Sequence, residues 1–163
     1  MNKTMYFRRN PAEFIDTLAH EIALFVRRET TLVPCVRLNG TSDIMWERIA
    51  PQLFAAFPRL QFYDYTKIPL HYRRARPSNY FLTYSLAETP VHVAEARRCL
   101  SSGEANVAIP FDLLPAIKGR RAADPLPPHF GAALFGHNYP VLDGDLHDLR
   151  FLDKPRGGAI VGL

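Results

Sequence analysis

Leu60-Gln61-Phe62-Tyr63-Asp64-Tyr65-Thr66-Lys67 and Tyr80-Phe81-Leu82-Thr83-Tyr84-Ser85, separated by twelve residues, decide the fold class. Leu60 to Tyr65 alternates and ends in Thr66-Lys67. Tyr80 to Ser85 is rich in aromatic and β-branched residues, so both stretches read as strands. The loop between them, 68–79, is too long for a tight hairpin and favours a crossover, hence parallel pairing.

Working outward, the elements on either side repeat that logic. Val33 to Leu38 is short, apolar and β-branched and predicts a strand running into Asn39-Gly40-Thr41-Ser42-Asp43. From Asp43 a helix is expected, with Ile44, Ile49, Leu53 and Phe54 inward and Phe57-Pro58 stopping it. Upstream, Pro11 to Glu29 reads as a helix. Asn10 suits its cap, Pro11 its first turn, and Phe14, Leu18, Ile22 and Phe25 form an apolar stripe. Downstream, a helix from Pro90 to Ser102 ends at Gly103, and Ala105 to Phe111 is a fourth strand. The order α-β-α-β-loop-β-α-β predicts an α/β fold, a mostly parallel sheet with helices packed on it, as a partial barrel or an open sheet.

After Phe111 the texture changes. Leu114 to Gly136 is punctuated by proline and glycine and predicts an irregular excursion. Tyr139 to Leu142 and Leu149 to Leu152 are expected to form a hairpin around Asp143-Gly144-Asp145, and Gly158 to Leu163 a last short strand.

Composition bounds the rest. A length of 163 residues fits a single domain over 1–163. Apolar content of 47% and charged content of 22% are near the globular average, so a folded core is expected rather than disorder. The formal charge is +4, and 16 of the 20 basic residues are arginine, whose forked guanidinium pairs with phosphate or carboxylate. An acidic partner or an Arg-rich genome explains that bias equally well. Cys35 and Cys99 read as small buried hydrophobes, too few and too far apart for a disulfide framework or metal site. Residues 1–10 lack a signal-peptide core, and no long uncharged apolar stretch occurs, so no membrane span and a reducing cytoplasm are expected.

If the strands run parallel, their polar carboxyl ends share one edge, where α/β proteins bind ligands. Asn39, Thr41, Ser42, Thr66 and Ser85 are the expected ligand-binding residues there. Asp43 or Asp64 would be a base and Lys67 would neutralise charge, if the chain is an enzyme. The competing reading is that Ser42 and Asp43 simply cap the following helix. His71, Tyr72, Arg73, Arg74 and Arg76 form the second candidate. Cations interleaved with an aromatic suit nucleic acid or an acidic protein surface, and equally a solvated loop. Asp143, Asp145 and Asp148 lack the spacing of a calcium loop, and the six histidines show no metal pair on one helix face. No metal is expected. Neither a nucleophile elbow nor a glycine-rich phosphate loop occurs, and no cofactor is implied.

The stretches Val36 to Asp43 with Glu47, Phe62 to Lys67, Asn79-Tyr80 with Leu82 to Ser85, Asp143 to Asp145, Asp148 to Phe151 and Gly158 to Leu163 resemble a family of bacteriophage and mobile-element proteins. The likeness covers most of the chain after about Val33 and lends no settled activity. Larger phage proteins with similar strand-end motifs look like radical S-adenosylmethionine barrels. That chemistry needs three close cysteines, so the likeness implies a reduced, cluster-less barrel fragment.

Three functions follow as expectations. The first is a phage accessory protein that binds a host protein or nucleoprotein complex, as an anti-defence, anti-CRISPR-like inhibitor. The second is an enzyme acting on a nucleotide or nucleic acid. The third is a non-catalytic nucleic-acid binder.

Overall fold

A computed structural model describes residues 3–111 and 125–163, with side chains from Met5 onward in the first helix. Leu114 to Asp124 of the expected excursion lie outside the described residues. Among the described residues the helices are α1 (Lys3–Arg9), α2 (Pro11–Arg28), α3 (Trp46–Ile49), α4 (Pro51–Ala56), α5 (Pro90–Ser102) and α6 (Ala132–Phe135). The strands are β1 (Cys35–Arg37), β2 (Gln61–Thr66), β3 (Tyr80–Ser85), β4 (Val107–Ile109), β5 (His129–Phe130), β6 (Tyr139–Asp143) and β7 (Ile160–Gly162).

The strands form one sheet in the order β1-β2-β3-β4-β7-β6-β5. Every neighbouring pair is parallel except β5 with β6, and β1 and β5 are edges that do not meet. The fold is therefore an open, mostly parallel α/β sheet, not a barrel.

Register assigns the two faces. Phe62, Asp64 and Thr66 sit beside Tyr80, Leu82 and Tyr84, and side chains alternate along a strand. Those six face the helices: the Phe54 ring lies 4.9 Å from Phe62 and 4.8 Å from Tyr80. Arg37, Tyr63, Tyr65 and Thr83 face the other way, where the chain near Asp148 and Phe151 covers them. Phe151 packs edge-on against Tyr63 at 5.4 Å, and Asp148 holds Arg37 at 2.9 Å. Val107, Ala108, Ile109, Ile160 and Val161 are buried, as expected of central parallel strands covered on both faces.

Local chemistry sets the helix limits. Gly103 closes α5 in the left-handed region (φ 68°), and its N–H reaches the carbonyls of Cys99 and Leu100. Pro51 has no N–H to donate, and the expected second helix is divided at Ala50 into α3 and α4. That helix also starts later than expected, at Trp46 rather than Asp43. Asn10 makes no side-chain cap. It links α1 to α2 through its backbone, N–H to Tyr6 and carbonyl to Phe14. Of the α2 stripe, Ile22 is buried and Phe25 is exposed, while Ile15 takes an inward place.

The expected hairpin of Tyr139 to Leu142 with Leu149 to Leu152 is corrected. Leu149 to Leu152 is not a strand, and Arg150–Leu152 forms a 3-10 turn. The Asp143-Gly144-Asp145 turn does form, with Asp145 N–H donating to Asp143 Oδ1. Both edges of β6 are already occupied, by β5 and β7, so the returning chain has no edge to join. No helix among the described residues is long and apolar enough to cross a membrane.

Candidate functional site

Parallel pairing brings the carboxyl ends of β1, β2 and β3 together. A cavity of about 310 Å³ opens there. Asn39, Thr41, Ser42, Asp43, Thr66, Lys67 and Ser85 line it, and Arg37, Gly40 and Tyr65 complete the wall. Of the expected rim residues only Asp64 is missing from this lining.

Asn39 organises the loop. Its Oδ1 accepts from Ser42 Oγ (2.9 Å), Ile44 N–H (3.1 Å) and Trp46 Nε1 (3.0 Å), while its Nδ2 donates to Ile44 O and Asp64 Oδ2. One buried amide thus folds residues 39–46 over the end of the sheet. The expectation that Ser42 and Asp43 cap a helix is corrected: Ser42 bonds back to Asn39 within the loop, and Asp43 takes a cross-strand role. Asp43 reaches β2, where Oδ1 accepts from Thr66 Oγ1 (2.8 Å) and Oδ2 from Lys67 N–H (2.7 Å).

Asp64 lies beneath this layer at 1% exposure. Its carboxylate accepts from Asn39 N–H (2.7 Å), Asn39 Nδ2 (3.2 Å) and Tyr80 Oη (2.6 Å). Burial raises its pKa to about 6, against the lowering effect of Tyr80, Asn39, Arg37 and Arg73. A perturbed carboxyl can mark a reactive site, but this one is sealed from solvent and fully hydrogen-bonded.

The basic loop divides into inside and outside. Arg73 is buried, with Nε and Nη2 donating to the two oxygens of Glu47 at 2.7 and 2.8 Å. It also touches Tyr80 Oη and lies 3.5 Å from Asp43. Burial pulls the Arg73 pKa down, but Glu47 and Tyr80 outweigh that and raise it, so it stays a cation. The expectation that Arg73 faces a partner is corrected: its guanidinium braces the core. Arg76 pairs with Glu104 at 3.1 Å, which also holds Arg98. His71 and Tyr72 are exposed with rings 4.0 Å apart, and His71 approaches Glu95 at 3.6 Å. Arg74 is exposed and makes no ion pair among the described residues.

Sequence reasoning missed Arg37 and Tyr65. Arg37 Nε donates to Asn39 O and Nη1 to Asp148, with the guanidinium 4.8 Å over the Tyr65 ring. Tyr65 Oη donates to Asp148, and burial pushes its pKa up to about 12. Alternation places both on the face opposite Asp64, a signal available in the sequence once the strands are drawn. The donors left over at the rim are the Lys67 ammonium, Arg37 Nη2, the Thr41 and Ser85 hydroxyls, and the backbone N–H groups of 40–42. None of these has a partner among the described residues.

Fold and rim together define an open α/β protein with a donor-rich cavity at the carboxyl ends of its parallel strands. The family model described as Gene product 88 matches residues 1–163, and the chain belongs to this phage gene-product family. No curated protein and no solved structure matches. The likeness to a radical S-adenosylmethionine barrel has no support, since the sheet is open and Cys35 and Cys99 are free thiols.

Proposed function

We propose that this phage protein acts by binding rather than turnover, and that its rim cavity receives a phosphate-bearing ligand. That ligand is a nucleotide or the backbone of a nucleic acid held in a host nucleoprotein complex, such as an anti-CRISPR-like factor would engage. The observation that carries this reading is the division of labour at the rim. The unpaired donors of Lys67, Arg37, Thr41, Ser85 and the 40–42 backbone line the cavity. Asp43 has both oxygens tied to Thr66 and Lys67 N–H.

Phosphate oxygens accept from such donors, and charge-assisted bonds are the stronger ones. Clustered backbone N–H groups in a loop also favour anions. The cavity volume falls at the small end of ligand sites. An enzyme using Asp43 as base would first have to break two short internal hydrogen bonds.

The test is fluorescence anisotropy with a labelled single-stranded oligonucleotide and, separately, a labelled nucleotide, alongside a host-lysate pulldown with and without nuclease. Lys67→Ala should weaken the preferred probe by about five- to tenfold and reduce the salt dependence. Unchanged affinity in Lys67→Ala, or a flat salt response, rejects the phosphate reading. Conversion of the nucleotide to product rejects binding without turnover.

A further inference from the structure

The opposite end of the sheet carries a second, chemically different surface. Val33 and Pro34 precede β1, Phe57, Pro58 and Leu60 precede β2, and Val26 lies in the last turn of α2. Together they line an apolar groove of about 400 Å³. Val33 is 91% exposed and its neighbour Leu32 is 73% exposed. β1 is the sheet's edge among the described residues. Exposed apolar side chains gathered over one groove mark interaction sites more often than chance surface.

The charge beside the groove is mainly positive, three arginines against one carboxylate. Arg59 lines it, and Arg27 and Arg28 are the next two residues after Val26. All three are exposed, and none makes an ion pair among the described residues. The nearby acid, Glu29, lies at the surface, where its Oε1 accepts from Thr31 Oγ1, Leu32 N–H and Thr31 N–H, bonds that lower its pKa and hold it in the turn after α2.

We propose that this groove docks an acidic segment of a partner protein, one that inserts apolar side chains beside Arg59. The apolar floor favours inserted side chains over phosphate. Arg59 at the groove, with Arg27 and Arg28 following its wall residue Val26, favours carboxylates on the partner, because complementary charge steers partners and rejects wrong ones. This surface is independent of the rim cavity and does not depend on the phosphate reading.

The test uses the intact chain and two fluorescent amphipathic peptides with the same helically spaced leucines. One carries Glu between them and the other Lys. The Glu peptide should bind saturably, at least about tenfold tighter than the Lys peptide. Val33→Asp should reduce that affinity by about tenfold, and Arg27→Glu with Arg28→Glu and Arg59→Glu should abolish the preference for Glu. All four positions are exposed, so unfolding midpoints should stay at the wild-type value, and Lys67→Ala should bind the peptide normally.

Equal binding of both peptides, or no saturable binding of the Glu peptide, overturns the proposal. So does an oligonucleotide that displaces the Glu peptide. Sedimentation showing concentration-dependent self-association that Val33→Asp removes would assign the groove to a second copy instead, and would equally overturn it.

Discussion

Arg73 and Arg74 are neighbours with opposite fates, and the difference is energetic. Removing Arg73 strands the Glu47 carboxylate, whose side chain is 0% exposed. Breaking a buried ion pair from one side typically costs 3–5 kcal/mol, about what Arg73→Ala should lose in urea unfolding. Arg74→Ala should stay within about 0.5 kcal/mol of wild type. Equal losses in the two variants would show that the loop is misread. Asp64 supplies a pH signature. Its folded pKa of about 6 lies above the ordinary 3.8, so between those values the folded chain keeps a proton that the unfolded chain has released. Stability from this group is present in full below 3.8 and is lost as pH rises through about 6, by roughly 2–3 kcal/mol. Comparing Asp64→Asn with wild type across that range isolates this group from carboxylates such as Glu95, whose pKa is lowered. The stability difference between the two proteins should change with pH there; a constant difference would reject it.

Among elements, those whose limits are set by neighbouring residues were legible. β3 and α5 match their expected ranges because strand composition, Pro90 and Gly103 are local signals. Elements defined by distant partners were not. α1 is only seven residues long, and its Tyr6 and Phe7 pack on Phe14 and Trp46. The late start of α3 depends on Trp46 bonding to Asn39. The failed hairpin depends on β7, which lies further along the chain. Gly103 tests the local logic directly. A Cβ there would meet nothing within 4 Å, so the strain in Gly103→Ala comes from its positive φ alone. A loss of about 1 kcal/mol by thermal unfolding is expected, and Gly103→Asn should lose less. A neutral alanine would show that α5 ends for another reason.

At the scale of the whole molecule, the rim was legible for one reason: parallel strands end together, so their polar tails had to meet. Which of those tails are free was not legible, because Asp43, Asp64 and Arg73 are tied by partners 7 to 30 positions away. The apolar groove was invisible for the same cause. Its walls come from three separate segments, none unusual alone. The shared direction of the parallel strands has a mechanical consequence. It gives the sheet a polarity, with hydrogen-bond donors at its head and an oily notch beside Arg59 at its foot. β2 spans six residues, or roughly 20 Å at about 3.3 Å per residue. The two proposed surfaces therefore lie about one strand length apart, so a ligand at one would leave the other open.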